Sequence, residues 1–277
     1  MGNRETFTYH YIPRMMLSAW TDRKGTVGFI GKDGRSVERK SADEVCTETF
    51  IVDGDIPSDI DTFSNRRISE ILESIMKGEM PKGMEALGTV ALLILGMYFK
   101  TPSGFGVTRK EGEAVRNLSA LVRYDGEMKR MLPDLLRFRY FTADTPDYFE
   151  FVLGDNPLCI VNMMRKGEEK TLLSPGVILL LPVTPRRAVI LSDDSCYWIH
   201  AGSGSFVLSS DDVYAVNRYI MKNSRETVSV WSRFNSYDGG ERLLSSWKFA
   251  KETEDVDFSL SFFSPRPCVT GEKGRYE

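Results

Sequence analysis

Two histidines stand in this chain of 277 residues, and the first, His10, sits between two rings in Tyr9-His10-Tyr11. Pro13 follows closely, which predicts extended rather than helical backbone here. An imidazole titrates near neutral pH, so His10 is a candidate general acid or base. The structural alternative is a core histidine whose ring nitrogens bond backbone groups. A second candidate is the Gly-Asp-Asn-Pro run at 154–157, where Asp155 and Asn156 project a carboxylate and an amide from a strand end. Asp155 has the chemistry to orient His10, to act as a base, or to hold Mg²⁺, a cation that needs few protein ligands. The competing reading is an Asx-type turn in which both side chains cap local amides. Arg14 and Lys100 are candidate substrate-binding groups, the first as a planar fork for phosphate or carboxylate and the second as a point charge. Arg14 could instead pair with Asp155 in a buried salt bridge. Lys100 ends an apolar run, where a cation complements a helix C-terminus.

Other chemistries lack their residues. Two histidines, with Cys46, Cys159, Cys196 and Cys268 in no CxxC spacing, do not make a zinc site. The four read as reduced thiols, which places the chain in the cytoplasm. The Gly-rich loop at 200–205 lacks the lysine of a phosphate loop, no GxSxG elbow occurs, and the acidic stretch at 53–61 does not follow the calcium-loop pattern. With a formal net charge of −3, a dominant phosphate-binding surface is not implied, so nucleic acid is not an indicated partner. The N-terminus carries no apolar signal core, and its Met-Gly with Thr6 has no polybasic support for lipidation. Residues 86–99 are uncharged, but about 14 residues fall short of the roughly 20 that span a bilayer. A buried core helix is expected there.

Two kinds of element must position these side chains. Residues 26–31 and 36–40 flank Asp33-Gly34 and read as a hairpin. Ile68, Ile71, Leu72, Ile75 and Met76 recur at helical spacing, with Gly78 as the stop. After the apolar helix come a third at 110–123 and a fourth at 127–136, which Pro133 should kink or restart. The period then changes. Residues 137–143, 149–153, 159–164, 177–183 and 187–192 read as strands, and their apolar runs predict central strands buried on both faces. Ser209 and Asp212 have capping-box spacing for a helix over 209–223. Residues 227–232 make a last strand. The fold class expected is α+β: one domain over 1–250, its central helical segment packed on a mixed sheet from the second half, then a loosely ordered tail over 251–277.

Six segments in this order resemble a bacterial and viral family catalogued as domain of unknown function 4238. They are residues 10–20, HYIPRMMLSAW; 41–52, SADEVCTETFIV; the apolar helix ending in FKTP at 99–102; the strands ending in GDNP; 180–191, LLPVTPRRAVIL; and the helix with Asn217 that leads to VSVWS. Relatives carry Arg where Lys100 stands and Gln near Gly96 and Met97. The resemblance implies no settled reaction. Two functional classes therefore stay open. One is a hydrolase of phosphoesters or nucleotides, with His10 and Asp155 as acid–base groups, Asn156 beside them, and Arg14 and Lys100 on the anion. The other is a binding protein, an inhibitor or sensor in phage–bacterium conflict, which the family's occurrence implies. It would act on a protein partner or on itself through the C-terminal aromatics Trp231, Phe234, Tyr237, Trp247, Phe249, Phe258, Phe262 and Phe263.

Overall fold

A computed structural model describes residues 4–53, 66–79, 81–101, 118–164, 171–193, 197–199, 205–229, 239–253 and 258–266. The first strand, β1 (Arg4–His10), runs into the short helix α1 (Arg14–Ser18) across Pro13. The expected hairpin follows as β2 (Thr26–Ile30) and β3 (Val37–Ser41). Next, β4 (Thr47–Asp53) returns antiparallel along β1, with His10 opposite Thr47. Sequence reasoning left 41–52 as a short family segment and missed this pairing.

Three helices follow: α2 (Arg66–Met76), α3 (Met84–Lys100) and α4 (Leu118–Leu135). In α3, Val90, Ala91, Leu93, Ile94, Leu95 and Met97 are all fully buried, as a core helix requires. Among the described residues no helix is long and apolar enough to cross a membrane. The two helices expected at 110–123 and 127–136 are corrected in part: α4 runs unbroken from Leu118 through Pro133. Residues 110–117 lie outside the described set. Pro133 stands only two residues from the helix end, so its missing N–H costs a single late hydrogen bond.

The second half supplies β5 (Arg139–Asp144), β6 (Leu153–Gly154), β7 (Cys159–Val161), β8 (Ile178–Thr184), β9 (Arg187–Ser192), β10 (Tyr197–Ile199), β11 (Ser205–Val207), α5 (Ser210–Asn223), β12 (Thr227–Ser229), α6 (Gly239–Glu252) and β13 (Phe263–Pro265). Five strands form a mixed sheet in the order β11-β5-β9-β8-β7, with β11 parallel to β5 and the rest antiparallel. Alternate residues of β8 and β9 serve two cores. Leu179, Leu181, Val189 and Leu191 face α2, α3 and α4, while Ile178, Leu180, Ala188 and Ile190 face α5 and α6. The central strands are therefore buried on both faces, as their apolar runs predict. A second sheet, β3-β2-β12-β6, joins the early hairpin to two strands of the second half. Two short antiparallel pairs, β1-β4 and β10-β13, complete the set.

The strand expected at 149–153 shrinks to two residues, because a side chain takes its backbone groups. Asn217 Oδ1 accepts from the Val152 amide at 2.9 Å and its Nδ2 donates to the Glu150 carbonyl at 2.8 Å. The capping box of α5 forms as predicted, with Asp212 N to Ser209 Oγ at 3.1 Å and Ser209 N to Asp212 Oδ2 at 3.0 Å. Asp212 also accepts from the amide and hydroxyl of Ser261. That anchor tethers part of the segment expected to be a loose tail. Lys251 and Glu252 are the last turn of α6, and Phe258, Leu260, Phe262 and Phe263 are buried in the second core. The aromatic spacing of these residues fills a core face rather than hanging in solvent. Residues 254–257 and 267–277 lie outside the described set.

Candidate functional site

The Gly-Asp-Asn-Pro corner closes β6, and its partners come from the turn between α5 and β12. Gly154 pairs with Thr227, and the Asp155 amide donates to the Glu226 carbonyl at 3.1 Å. Only a glycine fits the first position, since a Cβ there would overlap Ser224 Oγ and crowd Ile220. Asp155 is 3% exposed. Its Oδ1 accepts from the amides of Arg225 at 2.7 Å and Glu226 at 3.3 Å, and its Oδ2 accepts from Arg225 Nε at 3.2 Å. Asn156 exchanges two backbone bonds with the Ser224 hydroxyl. The corner is thus a long-range version of the amide-capping turn, with the capped amides about seventy residues away.

The HYIP segment reaches the same place through Tyr11. Its amide donates to the Cys46 carbonyl at 3.2 Å, and its hydroxyl donates to Glu226 Oε2 at 3.3 Å. Cys46 adopts φ 54, a left-handed conformation that is costly for a residue with a side chain. Four of the six motif segments therefore converge: HYIP, the 41–52 segment at Cys46, GDNP, and the helix leading to β12. Burial pushes the Glu226 and Asp155 carboxyls above their ordinary range, and each carboxylate raises its neighbours. Burial likewise drives up the Tyr11 hydroxyl and the Cys46 thiol, with Glu226 and Asp155 adding to it. Cations border the pair. Arg225 and Lys40 oppose the rise at Glu226, while Lys251, held down by burial, is raised in turn by Asp155. Lys251 donates to the carbonyls of Lys222 and Ser224 at the end of α5, and Lys222 returns a bond to the Lys251 carbonyl at 3.0 Å.

The residues singled out from sequence are only partly gathered here. Asp155 and Asn156 form the corner. His10 is the last residue of β1, half-buried and one residue before Tyr11, but Asp155 receives its bonds from Arg225 and Glu226 rather than from His10. Arg14 does not pair with Asp155. It bonds Asp43 at 3.1 Å, with both side chains about 70% exposed. Lys100 is the last residue of α3, and its side chain is outside the described set. Magnesium on Asp155 is not supported by this geometry, because N–H donors already engage both carboxylate oxygens. Among the described residues no group of three His, Cys, Asp or Glu could hold a metal ion. Sequence reasoning missed Tyr11, Cys46, Arg225 and Glu226. The available signal was that a buried Asp155 needs a cation, and Arg225 follows the Asn217 helix directly.

Comparison with known families assigns the second half. Residues 124–232 match the family model described as Protein of unknown function (DUF4238). The matched segment includes Asp155, Asn156, Asn217, Arg225 and Glu226, while Tyr11, Cys46 and Lys251 lie outside it. No curated protein and no solved structure matches the chain.

Proposed function

We propose that this protein is a hydrolase of phosphoesters or nucleotides, with its working groups at the Gly-Asp-Asn-Pro corner. Glu226 is the acid–base group. Its carboxyl is half-buried, raised above its ordinary range by burial and by Asp155, and held by the Tyr11 hydroxyl. Arg225 is the anion contact. Asp155 positions it by taking Nε, and its terminal nitrogens make no hydrogen bond among the described residues. Its side chain is 36% exposed, so a ligand can reach it. A guanidinium fixed at one edge and open at the other suits a phosphoryl oxygen. His10, one residue from Tyr11, is the imidazole of this reading, and Lys100 keeps its proposed anion role. The observation that carries the proposal is the raised carboxyl of Glu226 set beside a positioned, partly exposed Arg225.

The test is turnover of p-nitrophenyl phosphate, its diester and nucleoside triphosphates by the purified chain. Glu226→Gln retains the acceptor for Tyr11 but cannot titrate. It should lower kcat/KM by about 100-fold or more with the fold intact. His10→Gln reports separately on the imidazole. The reading fails if no phosphoester or nucleotide is turned over, or if Glu226→Gln is fully active.

One observation favours the second reading, a binding protein that contacts a protein partner. Trp247, Phe258, Phe262 and Phe263 are core residues, and Trp231, Phe234 and Tyr237 lie outside the described set, so among the described C-terminal aromatics of this group Phe249 alone is exposed. A different group is presented instead. Tyr148 is 86% exposed at φ 69, in a turn braced by Thr145 Oγ1 on the Phe149 carbonyl. Phe149 and Tyr214 are also exposed, Tyr214 one helical turn before the Asn217 that grips Glu150. Replacing Tyr148 and Tyr214 by Ala should abolish partner capture under this reading and leave hydrolysis unchanged under the first.

A further inference from the structure

Three polar atoms on one side of the second sheet have no hydrogen-bond partner among the described residues: Thr227 Oγ1, Ser229 Oγ and Trp247 Nε1. All three residues are more than nine-tenths buried, at 0%, 6% and 7% exposure. Thr227 and Ser229 stand two apart on β12, so they share a face. Thr227 pairs across the ladder with Ile30, and Ile30 with Val37. Ile30 belongs to the core cluster that holds Trp247, and Val37 packs against that cluster. The two hydroxyls therefore face the side of the sheet on which Trp247 of α6 packs, opposite Val228 and the first core.

Each buried donor or acceptor left unmade costs about 1–3 kcal/mol. Three together would consume a large part of the stability of an ordinary domain, roughly 5–15 kcal/mol. The chemistry of the three is complementary to one kind of guest. The indole only donates, whereas each hydroxyl both donates and accepts, so a molecule that accepts from Trp247 and donates to a hydroxyl satisfies both. Lys251 Nζ already stands 5.2 Å from the centre of the Trp247 ring, so a neutral guest suits these groups better than a second cation. We infer that this layer holds an internal hydration site: one ordered water, or a short chain of them, bridging Trp247 Nε1 to the hydroxyls of β12. The inference stands apart from the proposed hydrolase, since Thr227 Oγ1, Ser229 Oγ and Trp247 Nε1 make no hydrogen bond to Asp155, Arg225 or Glu226.

The experiment pairs a crystal structure at high resolution with thermal unfolding of Thr227→Val, Ser229→Ala and the double variant. Valine keeps the shape of threonine and removes only the hydroxyl. If water is bound, density should lie within hydrogen-bond distance of Trp247 Nε1 and at least one hydroxyl. Thr227→Val should then lower Tm by about 2 °C or more, and the two substitutions should be non-additive. A dry site gives the opposite sign. Thr227→Val would raise Tm by removing an unmade bond, and no density would appear. Either of those results overturns the inference.

Discussion

Adjacent arginines in one motif give a sharp test of how burial sets the value of an ion pair. In LLPVTPRRAVIL, Arg187 Nε donates to Asp144 Oδ1 at 2.6 Å and Nη2 to Oδ2 at 2.8 Å, a bidentate fork across the β5–β9 ladder. Its Nη1 donates to the Ile75 carbonyl at 3.0 Å at the end of α2, an oxygen that also accepts from the Gly78 amide at 3.0 Å. Gly78, at φ 92, lets the chain turn beneath the guanidinium, where a Cβ would press on Nη1. The side chains of Arg187 and Asp144 are 20% and 32% exposed. Arg186, by contrast, bonds Asp147 at 2.9 Å with exposures of 54% and 85%. Removing one partner of a fully buried pair costs about 3–5 kcal/mol. With roughly a quarter of this pair in solvent, screening reduces that to about 2–3 kcal/mol. For a chain of this size the fall in Tm should be roughly 5–10 °C. Lysine cannot supply the fork, so Arg187→Lys should recover little of the loss. Arg186→Ala should cost under about 0.5 kcal/mol. Thermal and urea unfolding measure both, and a double-mutant cycle with Asp144→Asn should give a coupling of about 2 kcal/mol. The reasoning is refuted if Arg187→Lys and Arg186→Ala shift Tm equally, or if the cycle shows no coupling.

Gly154→Ala should destabilise the chain by about 3 kcal/mol or more, because the added methyl meets Ser224 and Ile220 behind the corner; chemical denaturation checks this. Arg14→Ala should change Tm by less than about 1 °C, since its exposed pair with Asp43 contributes little. For Glu226 the folded-state carboxyl lies above its unfolded value, first through burial and then through Asp155. It therefore favours the fold fully below the ordinary carboxylate range, and that contribution is lost as pH rises through the folded value. Glu226→Gln escapes the loss, so its Tm relative to the parent should rise as pH climbs above the ordinary carboxylate range, with the opposite trend counting against the assignment.

What could be read from the sequence follows from the range of the interactions involved. The capping box at Ser209, the double burial of β8 and β9 and the core character of α3 depend on residues close in the chain, and local pattern was enough. Asn217 marks the limit of that method. Its place in a motif was visible, but its work is to hold Glu150 and Val152, nearly seventy residues away, and this is what shortens β6. The candidate site lies further beyond it. Tyr11 and Glu226 are 215 residues apart, and no spacing rule connects them. The choice of His10 over Tyr11 followed side-chain reactivity alone, whereas the fold selects by direction. Tyr11 is 3% exposed, and its ring carries a hydroxyl to Glu226 where the α5–β12 turn meets the Asp155 corner. Asp155 was found because a carboxylate in a Gly-Asp-Asn-Pro corner is conspicuous. Arg225 was missed because an arginine after a helix is not, although burying Asp155 makes such a cation obligatory. The partner that a buried charge demands is therefore the inference that sequence supports at long range, and here it points to the α5–β12 turn.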